Sequence, residues 1–167
     1  MLRLKRLTYM EVKYLFQIGD NIVYSTHGAG IIKAIEDKEV LGEIHQYYII
    51  NMINDGIDIM IPTNKMLNQR VRAVTKLEAI TNLIHIFQFG DSDDTLVWKQ
   101  RYKLNTEKIK TGKIQDIAEV VRDLLRIKQE KQLNESESKM LNHAQKFLLS
   151  ELTLVEGITE KQMAVFC

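Results

Sequence analysis

"GIIKAIEDKEVLGEIHQYYIINMINDGIDIMIP", residues 30 to 62, decides how the first half of the chain folds. Its runs "GIIKAIEDKEV" (30–40), "IHQYYIINMI" (44–53) and "GIDIMIP" (56–62) are rich in isoleucine, valine and tyrosine, which suit a pleated, half-buried surface. "LGE" (41–43) and "NDG" (54–56) separate them with residues that tolerate the positive φ of a hairpin turn. Pro62, the only proline, closes the last run, where a missing N–H does least harm. Upstream, "NIVYS" (21–25) reads as a further strand. Four or five short antiparallel strands within about 50 residues predict a small, strongly bent sheet or barrel. "HGAG" (27–30) lies between strands and lacks the helix start that phosphate binding would use, so it reads as a tight turn.

From Thr75 onward the apolar period becomes helical. "KLEAITNLIHIFQ" (76–88) spaces Leu77, Ile80, Ile84 and Phe87 by threes and fours, with His85 as a partly buried structural residue. "FGDSDD" (89–94) breaks that pattern ahead of a second helix over about 95–110, and "TGK" (111–113) ends it with a glycine C-cap signal. A third helix sets Ile114, Ile117, Val121, Leu124 and Leu125 on one side, leaving Glu119, Arg122, Asp123 and Arg126 elsewhere. "NESE" (134–137) has the form of a capping box, and a fourth helix follows with Leu141, Ala144, Leu148, Leu152 and Val155 as its stripe. The reading is an α+β, two-domain chain. A bent β domain spans 16–66, a linker 67–75, an all-α bundle of four or five helices 76–160, and a tail 161–167. Residues 1–15, basic and mildly apolar, read as an extension outside the fold, and an upstream start codon would account for them.

Composition narrows the function. An apolar fraction of 45% and a charged fraction of 27% are ordinary for a folded domain. The formal net charge of +1 means that any nucleic-acid binding must come from a local patch. Cys167 is the only cysteine, which excludes an internal disulfide or a cysteine-built zinc site and fits a reducing, cytoplasmic setting. No apolar run approaches the roughly 18 residues of a membrane span. Histidines 27, 45, 85 and 143 lack metal-ligand spacing. No nucleophile elbow, P-loop or zinc-protease motif occurs, and "DSDD" (91–94) lacks the spacing of a calcium loop. The expectation is a protein without cofactor, metal or catalytic residues.

The strongest charge imbalance runs from Trp98, the only tryptophan, to Lys113: six lysines and arginines against Glu107 alone. At 100° per residue, Lys99, Lys103 and Lys110 fall within about 40° of one another. Val97, Trp98, Arg101, Tyr102, Asn105 and Ile109 cover the neighbouring sector. Two readings fit these residues. In one, Trp98, Tyr102 and Ile109 pack on the helical core and the lysines are solvated. In the other, the lysines meet phosphates while an aromatic edge reaches a groove or an unstacked base.

"FQIGDNIVYSTHGAGIIKAIEDKEVLGEIHQYYII" (16–50) and "WKQRYKLNTEKIKTGKIQDIAEVVRDLLRIKQEKQLNESESKML" (98–141) resemble the CarD/CdnL family of bacterial RNA polymerase-binding transcription factors. The likeness runs from Phe16 to about Glu156, and W-x-x-R-Y-K followed by E-K-(x)3-G and "AEVVRDL" (118–124) is its most specific part. The amino-terminal half is also similar to a module of the transcription-repair coupling factor. The resemblance implies a Tudor-like β domain that docks on the RNA polymerase β subunit, in part by extending an edge strand. It also implies a helical domain beside promoter DNA at the upstream edge of the melted bubble. Trp98 matches the family's minor-groove wedge, and Arg101 and Lys103 match basic residues that hold phosphates. Lys99 joins them from the charge pattern. Such contacts carry no sequence preference. Lys38 matches a basic polymerase-facing position, and Met60 stands where some members have arginine. Gln100 and Ser138 stand where the family is basic. No membrane partner is implied, and monomeric and domain-swapped forms are both compatible with the sequence. The alternative from another class is a protein-interaction adaptor, in which the helices recruit a further protein.

Overall fold

The computed structural model describes residues 15–25 and 27–167, so that residues 1–14 of the expected extension lie outside it. Five strands form one antiparallel sheet: β1 (Asn21–Tyr24), β2 (Gly28–Val40), β3 (Glu43–Met52), β4 (Asp58–Pro62) and β5 (Val71–Ala73). Their order is β4-β3-β2-β1-β5, with β4 and β5 at the edges. The β2–β3 hairpin turns at Leu41 and Gly42, whose φ values of 53° and 80° explain why "LGE" sits there. β5 pairs with β1, setting Ile22 opposite Ala73 and Tyr24 opposite Val71. The stretch expected as a linker therefore carries the second edge of the sheet.

Five helices follow: α1 (Ile80–Phe89), α2 (Trp98–Thr111), α3 (Ile114–Glu130), α4 (Glu135–Thr153) and α5 (Glu160–Ala164). The expected stripes of α3 and α4 are buried, from Ile117, Val121 and Leu124 to Leu141, Ala144, Leu148 and Leu152. Three details differ from expectation. Leu77 lies exposed in a 3-10 turn ahead of α1, and Leu83 fills the core instead. Arg122 is buried, because its guanidinium donates to the Ile86 and Asp91 carbonyls and ties the α1–α2 loop to α3. His85 is exposed and lies against the Phe89 ring, 5.2 Å away. The tail takes part in the core as well: Phe166 is fully buried, edge-on to Phe87 at 5.0 Å.

Strand alternation gives the sheet two apolar faces. Ile22, Ile32, Tyr48, Ile50, Met52, Ile61 and Met66 form a core within the bent sheet. One residue along, Val23 and Ala29 point the other way and join the helical core. "HGAG" is where the helices meet the sheet. Gly28 has φ +88°, as a tight turn requires, and a Cβ there would lie 3.0 Å from Ser150 Oγ. Ala29 N–H donates to that same hydroxyl at 3.1 Å. A second seam runs from β5: Arg72 donates to both oxygens of fully buried Glu151, at 2.6 and 2.7 Å, and to the Gly112 carbonyl. The Thr75 backbone and hydroxyl complete the shell of Glu151.

Candidate nucleic-acid interface

Helix α2 buries polar residues and exposes aromatic ones. Val97 is extended (φ −70°, ψ 151°), no side chain caps the helix, and its first turn holds no acidic residue. Trp98 is therefore the first helical residue, beside backbone N–H groups that no side chain of the first turn covers. On the inner side, Arg101 and Asn105 are buried at 7% and 4% exposure, and Lys108 donates to Glu119 on α3 at 2.7 Å. These positions follow i, i+4, i+7, the spacing of one helical face. Trp98 and Tyr102 lie at the edge of that face, between it and the lysines, and stay exposed.

The exposed side carries two adjoining ridges. Trp98 (45% exposed) and Tyr102 (36%) are one turn apart and form the aromatic ridge. Lys99, Lys103 and Lys110 form the second, as their 100° spacing requires. Lys99 Nζ sits 5.9 Å from the centre of the Trp98 ring, within cation–π range. Lys110 is tied to Glu107 at 3.1 Å in an exposed pair, whereas Lys103 has no ion-pair partner among the described residues. Ile109 is partly buried against the helical core. The packing reading of the sequence thus holds for Ile109 and not for Trp98 or Tyr102.

Arg101 has a different place from the one expected of a phosphate ligand. Its Nε and Nη2 donate to the two oxygens of Glu137 at 2.7 and 3.1 Å, and Nη1 donates to the Leu96 carbonyl. Glu137 is itself only 2% exposed. Its backbone N–H is capped by Asn134, as "NESE" predicts, but its carboxylate turns to Arg101 and to the Asn134 amide. Arg101 therefore anchors α2 to α4. Sequence reasoning missed this because Glu137 lies 36 residues away; the available signal was the polar 101/105/108 face.

The two polymerase-facing candidates lie on one face of the sheet. Lys38 is opposite His45, Met60 is opposite Ile49, and His45 and Ile49 are an even number of residues apart on β3. Lys38 pairs with Glu36 at 2.8 Å and stays 44% exposed at its side chain. Met60 projects from edge strand β4 at 56% exposure. No group of three or more histidine, cysteine, aspartate or glutamate residues among the described residues could hold a metal ion. No helix among them is long and apolar enough to cross a membrane.

Two family models match the chain. Residues 16–75 match the CarD-like/TRCF RID domain, and residues 82–166 match the C-terminal domain of CarD. The chain belongs to the CarD-like family. It is 60% identical over 152 residues to the candidate transcription factor YdeB of Bacillus subtilis (strain 168), a match covering 91% of this chain and 99% of that relative. The family consists of non-enzymatic transcription factors that interact with RNA polymerase. The boundary between its two modules falls between β5 and α1, so β5 belongs with the sheet.

Proposed function

We propose that this CarD-like chain docks on the RNA polymerase β subunit through its β domain and stabilises the open promoter complex through α2. In this reading Trp98 wedges into the minor groove at the upstream edge of the bubble, while Lys99 and Lys103 meet the adjoining phosphates. Edge strand β4, with Met60 outward and Lys38 on the same face, supplies the polymerase contact by strand addition. Arg101 holds α2 on α4 and does not reach the DNA.

The observation that carries this reading is the exposure of Trp98 at the first turn of a helix that a buried ion pair anchors to α4. Exposing a large aromatic on a rigid support is costly in water and useful against an unstacked base step. The uncovered N–H groups of the same turn add a favourable place for phosphate.

The test is open-complex lifetime on a promoter with wild type and Trp98→Ala. A wedge worth about 1–3 kcal/mol, the scale of base–aromatic stacking, lengthens that lifetime roughly five- to 150-fold at most. A Trp98→Ala variant that binds polymerase and stabilises the complex as well as wild type would refute the wedge. Crosslinking of the Trp98 face to a protein in place of DNA would support an adaptor.

A further inference from the structure

Where the C-terminal end of α2 meets β5, a cleft of about 500 Å³ opens between the sheet and the helices. Its lining includes Arg70, Arg72 and Lys113 together with Ser25, Thr111 and Gly112, and no carboxylate. Arg72 is neutralised by Glu151, but Arg70 and Lys113 have no ion-pair partner among the described residues. Arg70 Nη1 donates to the Lys110 carbonyl at 3.0 Å, which places this β-domain arginine at the end of the α2 lysine ridge. The Arg70 backbone is left-handed, φ 54° and ψ 45°, where glycine, asparagine or aspartate is the usual choice. Keeping an arginine in that conformation costs free energy, and residues held so tend to cluster at ligand sites.

We propose that this junction cleft is a second DNA-backbone site, with Arg70 and Lys113 holding a phosphate that the α2 lysines do not reach. The proposal rests on the DNA-contacting reading of α2 and extends it onto the β domain. The helix is the ruler between the two sites. Fourteen residues span about 21 Å, so Trp98 at one end and Arg70 at the other are separated by several phosphates of one strand. The charge that fits the cleft is an anion, and the lysine ridge leading to it selects a polyanion over an isolated one. Gly112, also left-handed, keeps the floor open: a Cβ there would lie 2.8 Å from the Ser25 Cβ.

The test measures binding of the full chain to duplex DNA with a melted segment, across a salt series. In Arg70→Gln/Lys113→Gln the slope of log K against log salt is expected to become shallower by about 0.9 for each phosphate no longer neutralised, in every sequence tried alike. Arg70→Lys, which keeps the charge, should restore most of the contribution of Arg70. Because Arg70 also bonds the Lys110 carbonyl, Lys113→Gln alone serves as the control for folding; its melting temperature should match wild type while its slope drops. If Trp98→Ala or Lys103→Gln weakens binding and the Arg70/Lys113 pair leaves the slope unchanged, the cleft proposal falls and the α2 reading stands. If the wild-type chain binds no DNA at low ionic strength, both fall. Inorganic phosphate binding that depends on Arg70 and Lys113, with an unchanged DNA slope, would make the cleft a free-anion site and overturn the proposal.

Discussion

Arg101 and Glu137 close a buried two-bond ion pair between α2 and α4, with Nε to Oε1 at 2.7 Å and Nη2 to Oε2 at 3.1 Å. The exposed face of α2 is oriented by this pair, because the apolar contribution of the helix to the core is small. Removing the arginine leaves Glu137 buried with only Asn134 near it. Breaking such a pair from one side costs about 3–5 kcal/mol. Arg101→Ala should lower the unfolding free energy by an amount in that range, measured by urea denaturation. Arg101→Lys keeps the charge but loses the fork, so its effect should be smaller. A variant of unchanged stability that only binds DNA less well would return Arg101 to the role of phosphate ligand.

How far the sequence was legible depended on whether burial followed apolar pattern. The strands of 21–62 are rich in β-branched and aromatic residues and their turns carry the required residues. Four of the five strands were therefore readable and only the short edge β5 was not. Also readable were α3 and α4, whose stripes match their buried faces. Helix α2 broke the rule, since its inner side is Arg101, Asn105 and Lys108 and its partners lie on α3 and α4. A charge pair between distant helices leaves no periodic trace in either. Arg122 escaped because its partners are the distant Ile86 and Asp91 carbonyls, Glu151 because its partner Arg72 lies on β5, and Phe166 because one apolar residue near a terminus has no period at all.

Trp98 is the only tryptophan, which makes its environment directly measurable. At 45% exposure it should emit at long wavelength and be quenched readily by iodide and acrylamide in the free protein. DNA bearing a melted segment should then protect it. Trp98→Ala should change stability by no more than about 0.5 kcal/mol, the usual range for surface substitutions. A blue-shifted, poorly quenched emission would place the ring in the core and remove the wedge.

The first residue of β4 carries a pH-sensitive link to β2 and β3. Asp58 accepts from the Asn51 amide at 2.9 Å and from Lys33 at 2.9 Å, and these bonds hold its carboxyl below the usual carboxylate range. With the folded pKa below the unfolded one, the stabilising contribution is present above the unfolded value and fades as pH falls through the folded one. Both side chains are solvated, so the effect on global stability is small. An NMR titration should find Asp58 titrating lower than an ordinary aspartate. Asn51→Ala and Lys33→Ala should each move it upward, since the Asn51 bond, then the bond and charge of Lys33, hold it down.

Arg72 and Glu151 decide whether the two modules move as one. Glu151 is fully buried, and its four hydrogen bonds come from the Arg72 guanidinium and from Thr75. The same guanidinium holds the Gly112 carbonyl at the turn between α2 and α3. Arg72→Ala would leave the buried carboxylate without its counter-charge and release that turn together. Arg72 is about one third exposed at its side chain, so the destabilisation should lie at the lower end of about 3–5 kcal/mol. Hydrogen exchange should localise it: amides of β5 and of residues 111–113 should exchange faster, while those of α3 and the β2–β3 ladder keep their protection. If exchange at β5 is unchanged, the packing of Val23 and Ala29 on the helices joins the modules without help from this pair.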